Sequence, residues 1–168
     1  MDAALARPQQ LWFLNTRVTI RVSYTEGADE ISVLEHWVPH GDSPPLHVHA
    51  HEDEIFHILE GEFRFRVGDR DLRARAGETL LGPRGVPHTY RAETPEGGRM
   101  LTITRGRDFE RFVRAFSRPA ERDGLPERSG PPTPEQVQAL ASACQEHGIE
   151  LVGPPLGWSG ARSCRALQ

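Results

Sequence analysis

A chain of 168 residues and 18.8 kDa is one domain's worth of material, large enough to bury a core without disulfides. Its formal charge is −4, and its twenty basic residues, all arginine, are scattered rather than gathered in a stripe, which argues against a nucleic-acid partner and excludes Schiff-base chemistry on a lysine. No stretch of roughly 18 apolar residues offers a membrane span and the polar segment Met1–Gln10 does not read as a signal peptide, so a cytoplasmic location is expected.

From Leu11 to Thr104 short β-type runs are punctuated by Gly and Pro, the pattern of an all-β sandwich or barrel. Strands are predicted at Leu11–Leu14, Arg17–Tyr24, Ile31–Val38, Leu46–His49, Glu54–Leu59, Glu62–Val67, Asp71–Arg75, Thr79–Leu81, His88–Arg91 and Arg99–Thr104. Turn signals such as Glu60-Gly61, Gly68-Asp69 and Ala76-Gly77 separate them. The run Glu62 to Val67 alternates strictly, so Phe63 and Phe65 point to a buried face and the charges away from it.

After Thr104 the period changes. Phe109, Phe112, Val113 and Phe116 recur at helical spacing and predict a helix lying on the barrel. A Pro- and Gly-rich linker from Ser117 to Pro132 follows. Thr133-Pro134-Glu135-Gln136 then combines an N-cap, a first-turn proline and a Gln three positions on, opening a second helix with an apolar stripe at Val137, Leu140, Ala141 and Cys144 that Gly148 ends. No periodicity is evident beyond it. The organisation expected is an N-terminal arm with first strands over 1–30, a barrel core over 31–105 and a helical extension and tail over 106–168. Cys144 and Cys164 fall late and away from the motifs, and are read as inert thiols.

Seven of the eight histidines lie between His36 and His88. His47 and His49 are one residue apart, so on an extended strand both imidazoles project to one face, close enough to bind one ion. Glu54 opens the next strand and His88 a later one, each after a turn that can return it to that face. Three imidazoles and a carboxylate suit one divalent transition metal per chain, with iron, nickel or manganese favoured and zinc, cobalt or copper also compatible. Calcium and magnesium prefer oxygen ligands. Zinc held by these four alone is the structural alternative to a catalytic ion. His51 is expected in an exposed loop, His57 facing away from the ion, and His147 at a helix end. His36 and His40 precede the motif without a pattern that places them.

The spacing Gly41, five residues, His47-Val48-His49, four residues, Glu54, six residues, Gly61 resembles the first motif of the cupin superfamily at every fixed position. Gly77, five residues, Pro83-Arg84-Gly85, two residues, His88 resembles the second. One departure is Ala92, where the family often has an asparagine that is not a ligand. The resemblance is strong over Ile31 to Thr104 and implies a cupin jelly-roll β-barrel with C-terminal helices, in which His47, His49, Glu54 and His88 hold the metal. The flanks resemble, more loosely, small single-domain cupins of the quercetin 2,3-dioxygenase-like kind.

The function this implies is a dioxygenase for a small aromatic or enol-type molecule, with dioxygen as co-substrate. Glu54 is the candidate general base, and Phe56, Phe63, Phe65, Tyr90 and Phe112 are candidate pocket walls, the Phe112 helix serving as a lid. Two alternatives stay open: a non-redox cupin enzyme (isomerase, cyclase or lyase on a sugar or polyketide), and a metal- or ligand-binding module without turnover. The first two strands are expected to build a homodimer, since a barrel of this size otherwise leaves edge strands open. Because both motifs are complete by Thr104, the barrel is expected to fold without the residues after Ser117.

Overall fold

The computed structural model describes residues 8–128, 130 and 132–157. Among these residues twelve strands form two antiparallel sheets that close into a jelly-roll barrel, with two helices at one end. In chain order the elements are β1 (Gln9–Phe13), β2 (Thr16–Val22), β3 (Ile31–Val38), β4 (Leu46–His49), β5 (Glu54–Glu60), β6 (Glu62–Val67), β7 (Arg70–Arg75), β8 (Thr79–Gly82), β9 (His88–Ala92), β10 (Gly98–Arg105), α1 (Asp108–Ala115), β11 (Ser117–Pro119), α2 (Pro134–Glu146) and β12 (Ile149–Gly153). The large sheet runs β11-β1-β2-β3-β10-β5-β8 and the small one β12-β4-β9-β6-β7. No helix among the described residues is long and apolar enough to cross a membrane.

Period-two patterning drives the inner faces. On β6, Phe63, Phe65 and Val67 are buried while Glu62, Arg64 and Arg66 point outward. The β5–β6 hairpin turns on Gly61, whose φ of +82° favours glycine and where a Cβ would stand 2.8 Å from the Gly97 carbonyl oxygen. The long ladder of β3 on β10, from Ile31 opposite Arg105 to Val38 opposite Gly98, sets Leu34, His36 and Val38 inward beside Thr102 and Met100.

The apolar interior has two parts. One, around Val38, Phe56, Ile58, Phe63, Phe65 and Met100, fills the barrel between the sheets. The other packs α1, α2 and β12 against the inner face of β1 to β3, through Phe109, Phe112, Cys144 and Ile149 on one side and Leu11, Val18 and Leu34 on the other.

Two strands absent from the sequence reading change how the C-terminal segment is understood. β11 lies in the stretch expected to be linker and pairs with β1, Leu11 opposite Pro119 and Phe13 opposite Ser117. β12 pairs with β4, placing Ile149 opposite His49 and Leu151 opposite His47. The C-terminal segment is therefore part of the barrel wall, and the expectation of a barrel complete by Thr104 is corrected by this register. Cys144 is likewise not remote from the motifs: α2 buries it in the core beside Ile149, and burial pushes its thiol up to about 11. Cys164 lies outside the described residues.

Helix α2 starts as its sequence predicts. The Thr133 hydroxyl accepts from the Gln136 N–H at 3.3 Å, and the Gln136 side chain accepts from the Thr133 N–H at 2.9 Å. Helix α1 has no cap of its own. Glu52, in the turn before β5, accepts from the N–H groups of Asp108 and Phe109 at 2.9 Å each and caps it from across the chain. Gly106, at φ +140°, permits this, because a Cβ there would run into the Glu52 carboxylate.

Further along α1, the fully buried Glu110 carboxylate accepts from Ser23 and Ser32 hydroxyls at 2.7 Å each, from the Tyr24 N–H at 2.9 Å and from Arg114 at 2.9 Å. Burial works against its charge, but these donors outweigh it and hold its carboxyl below the ordinary range. A depressed folded-state value stabilises the fold above the ordinary carboxylate range and loses that contribution as pH falls through the lowered value. Glu110→Gln is expected to cost roughly 2–3 kcal/mol at neutral pH, by halving the acceptors of this cluster. It should also flatten the acid limb of stability against pH. Urea melts of both proteins between neutral pH and the acid limb check this, and parallel curves would assign the acid sensitivity to other carboxylates.

Candidate metal centre

Four side chains converge at the helical end of the barrel. β4 carries His47 and His49, β9 begins with His88 directly opposite His47, and β5 begins with Glu54 in the facing sheet. One ligand atom from each lies within 4.8 Å of all the others. The ring centroids of His47 and His88 are 4.7 Å apart and those of His49 and His88 5.5 Å. Glu54 Oε2 stands 2.9 Å from His88 Nε2 and 3.3 Å from His49 Nε2.

The far nitrogens are anchored to backbone. His47 Nδ1 donates to the Pro45 carbonyl at 2.8 Å and His88 Nδ1 to the Val86 carbonyl at 3.0 Å, so each ring turns Nε2 toward the centre. Pro45 and Val86 sit two residues before their histidines in the approach to each strand, so the local chain path fixes the tautomer.

The electrostatics are those of a preformed cation site. Burial lowers His47 to about 3, with further lowering by His88 and His49 outweighing the pull of Glu54. His49 is also lowered by burial. Burial works to lower His88 as well, but the hydrogen bond to Glu54, the charge of that carboxylate and the bond to the Val86 carbonyl together raise it. Burial alone would raise Glu54, but His49, His88 and His47 together hold it down to about 2. A charged carboxylate among mostly neutral imidazoles is the donor set a divalent cation takes. His49 Nε2 is buried without a hydrogen-bond partner, which also fits a site built for an ion rather than for internal pairing.

A cavity of about 70 Å³ opens onto three of these four residues, His47, His49 and Glu54. The elements after Thr104 supply much of its apolar wall: Phe109 and Phe112 of α1, Leu140 and Cys144 of α2, Ile149 and Leu151 of β12. Tyr90 and Phe112 line it. Phe112 is itself buried, its ring edge-on to Phe13 at 5.4 Å.

Phe56, Phe63 and Phe65 do not line the cavity, and their assignment as pocket walls is corrected. They lie on the inner face, as their periodicity requires, but deeper between the sheets, where the Phe56 and Phe65 rings pack at a tilt, 5.1 Å apart, in the barrel core. Face and depth are separate questions, and alternation answers the first alone.

The other histidines sort cleanly. His51 is exposed and bonds Asp108 at 2.8 Å, and His57 bonds Thr79 at 2.8 Å on the outer side of β5. His40 bonds the Thr94 carbonyl at the surface. His147 bonds the Ala143 carbonyl at the end of α2. His36 is different, for it lines the cavity. So do Phe13, Leu14, Pro44, Pro45 and Thr102, none of which the sequence reading singled out.

Among known proteins, residues 33–104 match the family described as Cupin domain. A comparison with curated proteins finds no match. Among solved structures, an RmlC-like cupin from Shewanella frigidimarina aligns at 17% identity over 62% of this chain and 90% of its own, with a TM-score of 0.51. A predicted oxalate decarboxylase from Thermotoga maritima aligns at 21% identity over 61% and 95%, with a TM-score of 0.50. KdgF from a Halomonas species aligns at 17% over 57% and 84%, also with a TM-score of 0.50. At these identities the likeness is one of fold.

Proposed function

From a chain that carries a cupin domain over residues 33–104 and folds as a cupin barrel, we propose a metal-dependent dioxygenase acting on a small, largely apolar molecule with an ionisable hydroxyl or enol. The observation that carries this reading is the placement of a three-histidine, one-glutamate cluster at the end of a cavity walled by aromatic and aliphatic side chains.

His47, His49 and His88 would hold the ion through Nε2 and Glu54 through its carboxylate. A bound iron, nickel or manganese ion supplies Lewis acidity toward a substrate oxygen and electron exchange with dioxygen. The protein's share is to orient and to exclude water. Phe109, Phe112 and Ile149 desolvate the apolar body of the substrate and leave its hydroxyl the metal end as its polar destination. Held near 2 by three imidazoles, Glu54 is a poor proton acceptor where it stands, and serves as a base only by moving away from them. Burial and the nearby Asp42 and Glu54 raise the Tyr90 hydroxyl above its ordinary value, so it acts as a neutral hydrogen-bonding group.

Elemental analysis of protein purified without a metal-affinity tag, followed by oxygen-electrode assays with 3-hydroxyflavone, tests the proposal. Native iron, nickel or manganese together with oxygen consumption supports it. Zinc with turnover independent of oxygen would replace it with isomerase, cyclase or lyase chemistry.

A further inference from the structure

We propose that His36 is the cavity's second polar anchor, hydrogen-bonding one oxygen of the bound molecule while the metal end takes another. This rests on the reading of the cavity as a substrate site. His36 lies on β3, in the sheet facing the one that carries the three histidine ligands, and its ring forms part of the cavity wall. It is 3% exposed, and neither of its ring nitrogens has a hydrogen-bond partner.

A buried imidazole with both nitrogens unpaired is a destabilising choice that Phe or Met at this position would avoid. Its strand neighbours, Val18 and Met100, are apolar and offer nothing to pair with. Phe109 stacks on the ring at a centroid distance of 6.0 Å and meets His49 edge-on at 5.7 Å, so one aromatic side chain spans from His36 to the metal cluster. Burial lowers His36 to about 4, more than Glu54 and Glu35 raise it, and the neutral ring offers one N–H and one lone pair. Both suit a hydroxyl or a carbonyl.

The rest of the lining sharpens the class of molecule. No arginine lines this cavity among the described residues, although the chain has twenty. A small dianion would find a positive partner at the metal end alone, and its second charge would be buried against Phe13, Phe112 and Leu140. A molecule with an apolar body and two oxygens, uncharged away from the metal, fits the metal end and His36 together.

The test uses the full-length protein loaded with Mn(II) under anaerobic conditions, with calorimetric binding of 3-hydroxyflavone, 2-naphthol and oxalate. His36→Phe is expected to bind 3-hydroxyflavone about tenfold more weakly than wild type, at unchanged manganese content and with a melting temperature no lower. His36→Gln, which keeps a donor and an acceptor, should recover part of the affinity. Unchanged affinity in His36→Phe for every probe that wild type binds overturns the assignment, and a lowered melting temperature in that case makes His36 structural. Preference of wild type for oxalate over the two aromatic probes overturns the substrate reading instead, and oxalate then becomes the ligand for the same His36→Phe comparison. A wild type that binds none of the three overturns both.

Discussion

His49→Ala and His88→Ala should each leave the purified protein with well under one metal ion per chain, while His51→Ala and His57→Ala keep the wild-type content. The four ligand atoms would hold an ion jointly, so losing one donor would remove a share of a cooperative set, whereas His51 and His57 are engaged elsewhere, by Asp108 and Thr79. The ligand variants should also melt lower than metal-loaded wild type, because an ion that binds only the native state stabilises it by mass action. Some of that loss should persist after chelation. Both histidines compensate the buried charge of Glu54, and a carboxylate stripped of a partner is costly to bury. Glu54→Gln should hold metal at an intermediate level, since it keeps the shape and loses the charge. Plasma mass spectrometry of wild type and the five variants decides this, and full occupancy in both His49→Ala and His88→Ala would show that the ion sits elsewhere.

Ending the chain after residue 132 should abolish the cooperative melt and weaken metal binding at least tenfold. Strand β4 carries two of the four ligands, yet it meets β9 at His47 opposite His88 while it pairs with β12 along its whole length. Without β12 the ligand strand is left on an open edge, held by a single point of register. The same cut removes Leu140, Cys144 and Ile149 from the core that backs α1, and leaves Phe109 and Phe112 facing solvent. Fluorescence melts and a competitive chelator titration of the truncated protein test both effects. A sharp melt at the wild-type temperature would show that β1 to β11 with α1 suffice.

The barrel strands were legible because each carries its own signal: alternation on β6, Gly-bearing turns between neighbours, and motif spacing that brings Glu54 and His88 to the face of His47 and His49. What escaped reading lacks a local signal. β11, Ser117-Arg118-Pro119, is too short for a period and becomes a strand only because β1 offers an edge. β12 does alternate, with Ile149 and Leu151 turned inward, but its five residues follow a helix stop and looked like tail.

His36 was obscured by its neighbour. Glu35 should be exposed on an alternating strand, but Arg21 and Arg99 cover it, so β3 shows no clean alternation in burial. The depth of Phe56, Phe63 and Phe65 depends on where the helices close the barrel, which no window on β5 or β6 contains.

The pairing of β4 with β12 also orders events in time. During synthesis the strand bearing His47 and His49 leaves the ribosome roughly a hundred residues before its partner, a delay on the order of 5–20 s. Through that interval the nascent strand has an unclaimed edge, and the walls of the cavity are still being translated. The four-residue cluster therefore gains its full wall only once β12 has emerged, and any metal captured earlier would be held by a floor without its walls.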